Sequence, residues 1–137
     1  MLAGISIRGK EKDMIVEIPE LDTSKGLEQC DGEMKLYVSA LRLYVANIPP
    51  VLEKMRNVSE ETLQTYTISV HGVKSTSEVV GAEEARKTAR ELEVMAKAGD
   101  LAGILARNDA FIKYIEDLVA GIRTWLENRD RSMGKGK

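Results

Sequence analysis

The sequence predicts an all-α fold: an antiparallel up-and-down four-helix bundle with a short extra N-terminal helix. Hydrophobic residues make up 43% of the 137 residues and aromatic residues only 4%, a balance typical of helical proteins with aliphatic cores. Apolar side chains recur at intervals of three and four residues through most of the chain. The connections between the long helical segments are short, so we expect consecutive helices to pack side by side in opposite directions.

The chain is about the size of one domain, and its ends differ from its middle. Residues 1–17 combine mixed charge with no clear period, and we expect an irregular leader or linker there. We expect the helical bundle at residues 18–128 and a flexible tail at residues 129–137. The irregular leader favours a piece of a longer protein over a free-standing one.

The first two helices are predicted from a cap and from a long apolar face. A short helix is predicted over residues 23–29, with Asp22 or Thr23 as its N-cap. A longer helix is predicted over residues 33–57, with a kink or a local break at Pro49-Pro50. The predicted apolar side of this helix consists of Leu36, Tyr37, Ala40, Leu41, Tyr44, Ile48, Val51, Leu52 and Met55.

Three further helices are predicted in the rest of the chain. The third runs from just after Ser59, whose hydroxyl can accept a hydrogen bond from a free backbone amide, to Val80. Gly81 is suited to end it, because glycine adopts the left-handed conformation readily. The fourth is predicted over residues 82–98 and the fifth over residues 101–128.

Charge and cysteine content argue against several classes of function. The net charge of −2 argues against nucleic acid as the main partner. Cys30 is the only cysteine, so no internal disulfide can form and a reducing cytoplasm is expected. One histidine and one cysteine are too few for the usual structural zinc sites. No apolar run reaches the length of a membrane span, and the N-terminus lacks a signal-peptide pattern, so we expect no membrane contact.

His71 is the only histidine, and the helical phase predicts that it faces water. The buried seam of the third helix falls on Leu63, Tyr66, Val70, Val73, Ser77 and Val80. At about 100° per residue, His71 lies about 130° from the centre of that seam. Lys74 and Ser75 share its outward face, and Gly72 lies beside it.

An exposed imidazole beside a cation suits nucleophilic attack on a phosphoryl group. Much of a histidine side chain is unprotonated near neutral pH, so a ring nitrogen is available as a nucleophile. Phosphoryl transfer asks the protein mainly for positioning and charge stabilisation, and Lys74, one turn away, can offset the added negative charge. Gly72 and Ser75 are small, so a second protein can bring its own acceptor close to the ring.

Ile68, Gly72 and Val79 border the same side of His71 and are apolar or small, although they lie off the buried seam. We interpret them as a partner-docking strip. The plainer alternative is a set of ordinary exposed hydrophobic residues, which are common at protein surfaces, beside a histidine without a role. Under that alternative the chain is a non-catalytic helical adaptor or interaction domain.

Residues 71–82 resemble the motif of the histidine-containing phosphotransfer (HPt) domain. That motif is usually His, any residue, Leu, Lys, Gly or Ser, and Ser, followed later by Gly-Ala. The corresponding residues here are His71, Val73, Lys74, Ser75, Thr76, Gly81 and Ala82. Residues 21–27, 37–44 and 92–100 resemble the family's flanking helices, so the resemblance covers about residues 18–127. Gly72 and Thr76 differ from the residues that the family usually has at these positions. Gly72 should cost up to about 1 kcal/mol in helix propensity.

The resemblance implies a role for each candidate site residue. His71 would be the phosphorylated histidine, Lys74 the cation that steadies the phosphoryl group, and Ser75 the small residue that admits the partner. Glu93, at the family's corresponding place on the next helix, would hydrogen-bond the ring nitrogen that is not phosphorylated and so orient the ring. The family often has glutamine at that position.

The resemblance also implies the partners. A response-regulator receiver domain would donate a phosphoryl group from its aspartyl phosphate to His71, and an aspartate of a second receiver would accept it. The chain itself would need no cofactor, because the receiver would hold the Mg²⁺. The chain would be a carrier in two-component signal transduction and not an enzyme on its own. It would be monomeric and cytoplasmic, either free-standing or the C-terminal module of a hybrid histidine kinase.

A self-contained kinase is a further alternative. Against it, the sequence has no glycine-rich phosphate loop of the Walker type and no obvious carboxylate cluster for a metal ion. The chain also lacks an evident second domain that would bind ATP. Direct labelling from ATP without a partner would nevertheless favour this class over the carrier and the adaptor.

Overall fold

The computed structural model describes residues 18–134 of the protein. Within that range it contains five α-helices and no strand, which confirms the all-α class. The helices are α1 (Thr23–Gln29), α2 (Met34–Met55), α3 (Leu63–Val80), α4 (Glu83–Lys97) and α5 (Leu101–Gly134). The leader predicted at residues 1–17 lies outside the described residues. No described helix is both long enough and apolar enough to cross a membrane.

One hydrophobic core joins the helices. The long helices α2 and α4 each pack against both α3 and α5, and the short α1 packs mainly against α3. The largest fully buried side chains are Tyr37, Tyr44, Tyr66, Leu41, Ile48, Leu52, Met55, Leu92, Ile104, Ile112, Ile115 and Leu118. Aliphatic residues from all four long helices therefore fill the centre, and the functional groups described below lie at its edge.

Two buried tyrosines fix the register of α2 against α3. The Tyr37 hydroxyl donates a hydrogen bond of 2.7 Å to the carbonyl of Val80, and the Tyr44 hydroxyl lies 2.9 Å from the hydroxyl of Ser77. A buried hydroxyl without a partner would cost about 1–3 kcal/mol, so both pairs favour this one alignment of the helices. In this alignment the buried side of α3 packs against α2, and the opposite side of α3 faces away from α2.

A third buried tyrosine connects α3 to α5 and to the end of α2. The Tyr66 hydroxyl donates to Asn108 Oδ1 over 2.8 Å, and Asn108 Nδ2 donates to the carbonyl of Met55 over 2.8 Å. Asn108 thereby satisfies a helix-end carbonyl that has no partner within α2. Sequence periodicity did not single out Asn108, because its partners come from elements far away in the chain.

The chain enters α1 through a contact with the end of α3. Asp22, one of the two residues predicted as the cap, caps α1, and its side chain accepts a hydrogen bond from the Lys25 amide. The Asp22 amide donates to the carbonyl of Gly81 over 2.7 Å. Gly81 ends α3 with a φ of 80°, in the left-handed region predicted for it. A Cβ at Gly81 would overlap the Asp22 carbonyl oxygen, so glycine is required there for two reasons.

The start of α3 differs from the prediction. The helix begins at Leu63 rather than directly after Ser59. The Ser59 amide donates to Thr62 Oγ1 over 2.8 Å, and the Thr62 amide lies 3.3 Å from Ser59 Oγ. These reciprocal bonds hold residues 60–62 in a turn, because serine and threonine side chains compete with the helical backbone for its donors.

The prolines of α2 do not break the helix, which continues unbroken from Met34 to Met55. Ile48 and Leu52 on either side of Pro49-Pro50 are both buried in the core, and this packing outweighs the loss of two backbone donors. Leu36 was predicted on the apolar side of α2 but is half exposed. Tyr37, predicted on the same side, is fully buried, and Val38, which was not predicted there, is also buried.

The last helix is longer than predicted. α5 continues to Gly134 rather than ending near Asn128, so the tail predicted at residues 129–137 is helical as far as residue 134. A two-point ion pair between Arg42 of α2 and Asp130 holds this extension, with one N–O distance of 2.9 Å. Because the pair joins residues far apart in the chain, local sequence did not indicate it.

Candidate functional site

His71 lies near the middle of α3 with 57% of its side chain exposed. Its neighbours Val70 and Val73 are fully buried, so the ring leaves the helix on the side away from the core. The helical phase predicts this orientation. The imidazole is therefore open to a second molecule along the flank of the protein rather than at the bottom of a pocket.

Glu93 reaches His71 from the next helix. Its side chain is only 5% exposed, and its Oε2 atom lies 2.7 Å from His71 Nδ1. The buried face of α4 is lined by Ala85, Ala89 and Ala96, whose small side chains allow α4 to lie close to α3. Glu93 lies beside that face, and the structure therefore brings together the histidine and the carboxylate that the sequence predicted as partners.

Two lysines complete the cluster around the Glu93 carboxylate. Lys74 Nζ lies 2.7 Å from Glu93 Oε1, and Lys97 Nζ lies 3.3 Å from Glu93 Oε2. The Lys74 side chain is 26% exposed, whereas that of Lys97 is 66% exposed. Lys74 thus contacts Glu93 as well as sharing the face of His71. Sequence reasoning missed Lys97, although its position four residues after a glutamate on a helix is a recognisable signal.

The carboxylate of Glu93 is ionised and can only accept hydrogen bonds. Burial alone would raise its pKa, but the hydrogen bonds from Lys74, His71 and Lys97 outweigh burial and lower the pKa from 4.5 to about 2. Because an ionised carboxylate has no proton to donate, His71 Nδ1 must carry the hydrogen that joins the two groups. In the neutral ring the lone pair is then on Nε2, the nitrogen that has no hydrogen bond within the described residues.

A strip of small and apolar residues runs along α3 beside the ring. Ile68, Gly72, Ser75 and Val79 follow one another at intervals of four, three and four residues, which places them along one face. We call these four residues the access strip. Ile68 is 69% exposed, Ser75 and Val79 are exposed, and a Cβ built at Gly72 would meet nothing within 4 Å. The surface next to His71 is therefore open.

The access strip continues onto α2. A cleft of about 260 Å³ lies between α2 and α3 and is lined by Leu43, Thr76 and Val79 among others. Leu43 is 61% exposed, although the large apolar residues of α2 are mostly buried. Sequence reasoning did not select Leu43, because only the packing of α2 beside α3 brings it next to the strip.

The ionised Glu93 cluster predicts a particular dependence of stability on pH. Folding lowers the pKa of Glu93 from 4.5 to about 2, so its contribution to stability is complete above about pH 4.5 and is lost as the pH falls through about 2. We expect Glu93→Gln, which cannot titrate, to lose less unfolding free energy than the wild type between these two values. Urea unfolding at a series of pH values measures the difference. Parallel losses in both proteins would contradict the assignment.

No family model matches this chain, and neither a curated protein nor a solved structure matches it. Among the described residues, no group of three or more histidine, cysteine, aspartate or glutamate side chains is placed to hold a metal ion. The cluster offers a ring nitrogen with a free lone pair, two ammonium groups on the carboxylate that contacts the ring, and an uncrowded approach.

Proposed function

We propose that this chain is a phosphorelay carrier of the HPt type. It accepts a phosphoryl group on His71 from the aspartyl phosphate of a receiver domain and passes it to an aspartate of a second receiver. The observation that carries this proposal is the exposed imidazole in the middle of α3 whose Nδ1 atom lies 2.7 Å from the buried carboxylate of Glu93. That arrangement leaves Nε2 as the nucleophile and turns it toward solvent.

The transfer requires one bond to form and one to break. The lone pair of His71 Nε2 attacks phosphorus, and the bond between phosphorus and the aspartyl oxygen breaks, so that the aspartate leaves as a carboxylate. The hydrogen stays on Nδ1, and the ring becomes a cation that Glu93 stabilises. A cationic ring is a good leaving group, so the same arrangement supports the second transfer onto the next receiver. Mg²⁺, in this proposal, belongs to the receiver.

The surroundings of the ring suit a large partner. Ser75 and Gly72 leave the approach to Nε2 open, while Ile68 and Val79 offer apolar area for docking. Lys74 is one turn from His71 and half buried, so a short movement of its side chain would bring it to a phosphoryl group on the ring. Each residue predicted from the sequence thus has a physical task in the proposed transfer.

We also infer that the four long helices form an antiparallel up-and-down bundle, with α1 as a short addition. Hydrogen bonds between the helices support this arrangement. In two antiparallel helices, successive partners have rising residue numbers on one helix and falling numbers on the other. These bonds are Tyr37–Val80 and Tyr44–Ser77 between α2 and α3, and Arg42–Asp130 and Arg56–Glu116 between α2 and α5. Such a bundle encloses its own core, which favours a monomer. The cytoplasmic location stays a prediction.

Transfer from a charged receiver tests the proposal. Receiver domains are phosphorylated with labelled acetyl phosphate, freed of excess reagent and mixed with the wild type or with His71→Gln. We expect label on the wild type and none on His71→Gln, whose fold is checked by circular dichroism. Label obtained directly from ATP without a receiver would indicate a kinase instead. Absence of label from every donor would leave the adaptor, for which the exposed access strip alone would suffice.

A further inference from the structure

The carboxylate of Glu93 is paired with more positive charge than it needs. One lysine would neutralise it, yet Lys74 contacts Oε1 and Lys97 contacts Oε2. The two lysines approach from different helices, Lys74 from α3 and Lys97 from α4. They also differ in burial, since Lys74 is 26% exposed and Lys97 is 66% exposed. A buried charge is costly without a partner, so the second lysine becomes important if the first one leaves.

Phosphorylation of His71 supplies a reason for Lys74 to leave. A phosphoryl group carries about two negative charges, and Lys74 is attached one turn from the ring on the same helix. If Lys74 turns to the phosphoryl group, it and the cationic ring together balance those two charges. Glu93 would then be left buried with Lys97 as its remaining lysine. The pair of Glu93 and Lys97 is also neutral, so all charges in the site are balanced.

We propose that Lys97 is a positioning residue, which holds the Glu93 carboxylate in its place beside His71 Nδ1 while Lys74 turns to the phosphoryl group. The phosphoryl part of this inference rests on the proposed function. Lys97 is suited to the task because it shares Oε2 with the ring and leaves Oε1 to Lys74. An ordinary glutamate–lysine ion pair with this spacing on an exposed helix would not influence the position of the His71 ring.

The ion pair between Lys97 and Glu93 can be tested without any phosphoryl transfer. Carbon-13 NMR titration of the Glu93 carboxyl measures its pKa in Lys74→Met and in Lys74→Met combined with Lys97→Met. We expect the pKa to stay below 4.5 in the single variant, because Lys97 remains on Oε2. In the double variant we expect the pKa of Glu93 to rise by at least about one unit, because only the hydrogen bond from the His71 ring then opposes the effect of burial. A pKa above 4.5 already in Lys74→Met would overturn the inference.

The effect on the phosphorylated state needs a second measurement. His71 is phosphorylated with phosphoramidate, a small chemical donor that needs no receiver, and the decay of phosphohistidine is followed by phosphorus NMR. We expect Lys97→Met to decay about tenfold faster than the wild type and Lys97→Arg to decay normally. Lys87→Met removes the same charge from an exposed position of α4 and should decay like the wild type.

A double-mutant cycle shows whether Lys97 acts through Glu93. If it does, adding Lys97→Met to Glu93→Gln should change the decay little further, because no carboxylate is then left for Lys97 to hold. Full additivity of the two effects would overturn the inference. Failure of phosphoramidate to label a folded wild type would count against the proposed function, whereas the Glu93 titration would still decide the pairing.

Discussion

Gly81→Ala should lower the free energy of unfolding by about 2–4 kcal/mol. The φ of 80° at this position costs about 1–2 kcal/mol for any residue with a Cβ. The added Cβ would also overlap the Asp22 carbonyl oxygen, so the segment that leads into α1 would have to move away from the end of α3. That movement would break the 2.7 Å hydrogen bond from the Asp22 amide to the Gly81 carbonyl.

Gly99 provides a matched control for this prediction. It has a φ of 74°, but a Cβ there would meet nothing within 4 Å. Gly99→Ala should therefore show only the conformational cost, about 1–2 kcal/mol. Urea unfolding followed by circular dichroism measures both variants. Equal losses would mean that the contact between Asp22 and Gly81 contributes nothing to the fold.

Ser75→Trp should reduce phosphoryl transfer from a receiver at least about a hundredfold while leaving the protein folded. Ser75 is exposed, so an indole there displaces no core residue and the helix can accommodate it. The indole would, however, cover the surface one turn beyond His71, where the partner has to bring phosphorus into line with Nε2. An error of about 1 Å in such an alignment can cost a hundredfold in rate.

The control for Ser75→Trp places the same side chain elsewhere. Thr124 is exposed on α5, a helix that packs against α2 and α4 and contributes nothing to the access strip. Thr124→Trp should transfer at the wild-type rate. Thermal unfolding confirms that both variants are folded before rates are compared. Normal transfer by Ser75→Trp would show that steric access at this position is unimportant.

Local signals predicted the parts of the fold that local chemistry decides. Gly81 ends α3 and Asp22 caps α1 because each acts on residues within one helical turn. The phase of α3 placed Val70 and Val73 inside and His71 outside by the same kind of reasoning. These features needed no knowledge of the neighbouring helices.

The features that sequence reasoning missed depend on contacts between distant segments. The extension of α5 is held by Arg42 of α2, and the continuity of α2 across its prolines depends on core packing. Lys97 belongs to the site only because α4 brings Glu93 up to α3. The position of Glu93 beside His71 was implied by a family resemblance. The charges and the spacing of the residues alone would not have predicted this contact.

The account depends most directly on which nitrogen of which residue receives the phosphoryl group. Nitrogen-15 NMR of the histidine-labelled protein, recorded after transfer from a charged receiver, measures this. We predict phosphorus on Nε2 of His71, with the hydrogen retained on Nδ1 beside Glu93. Phosphorylation of Nδ1, or a folded protein whose histidine stays unmodified by every receiver tested, would contradict the proposed function.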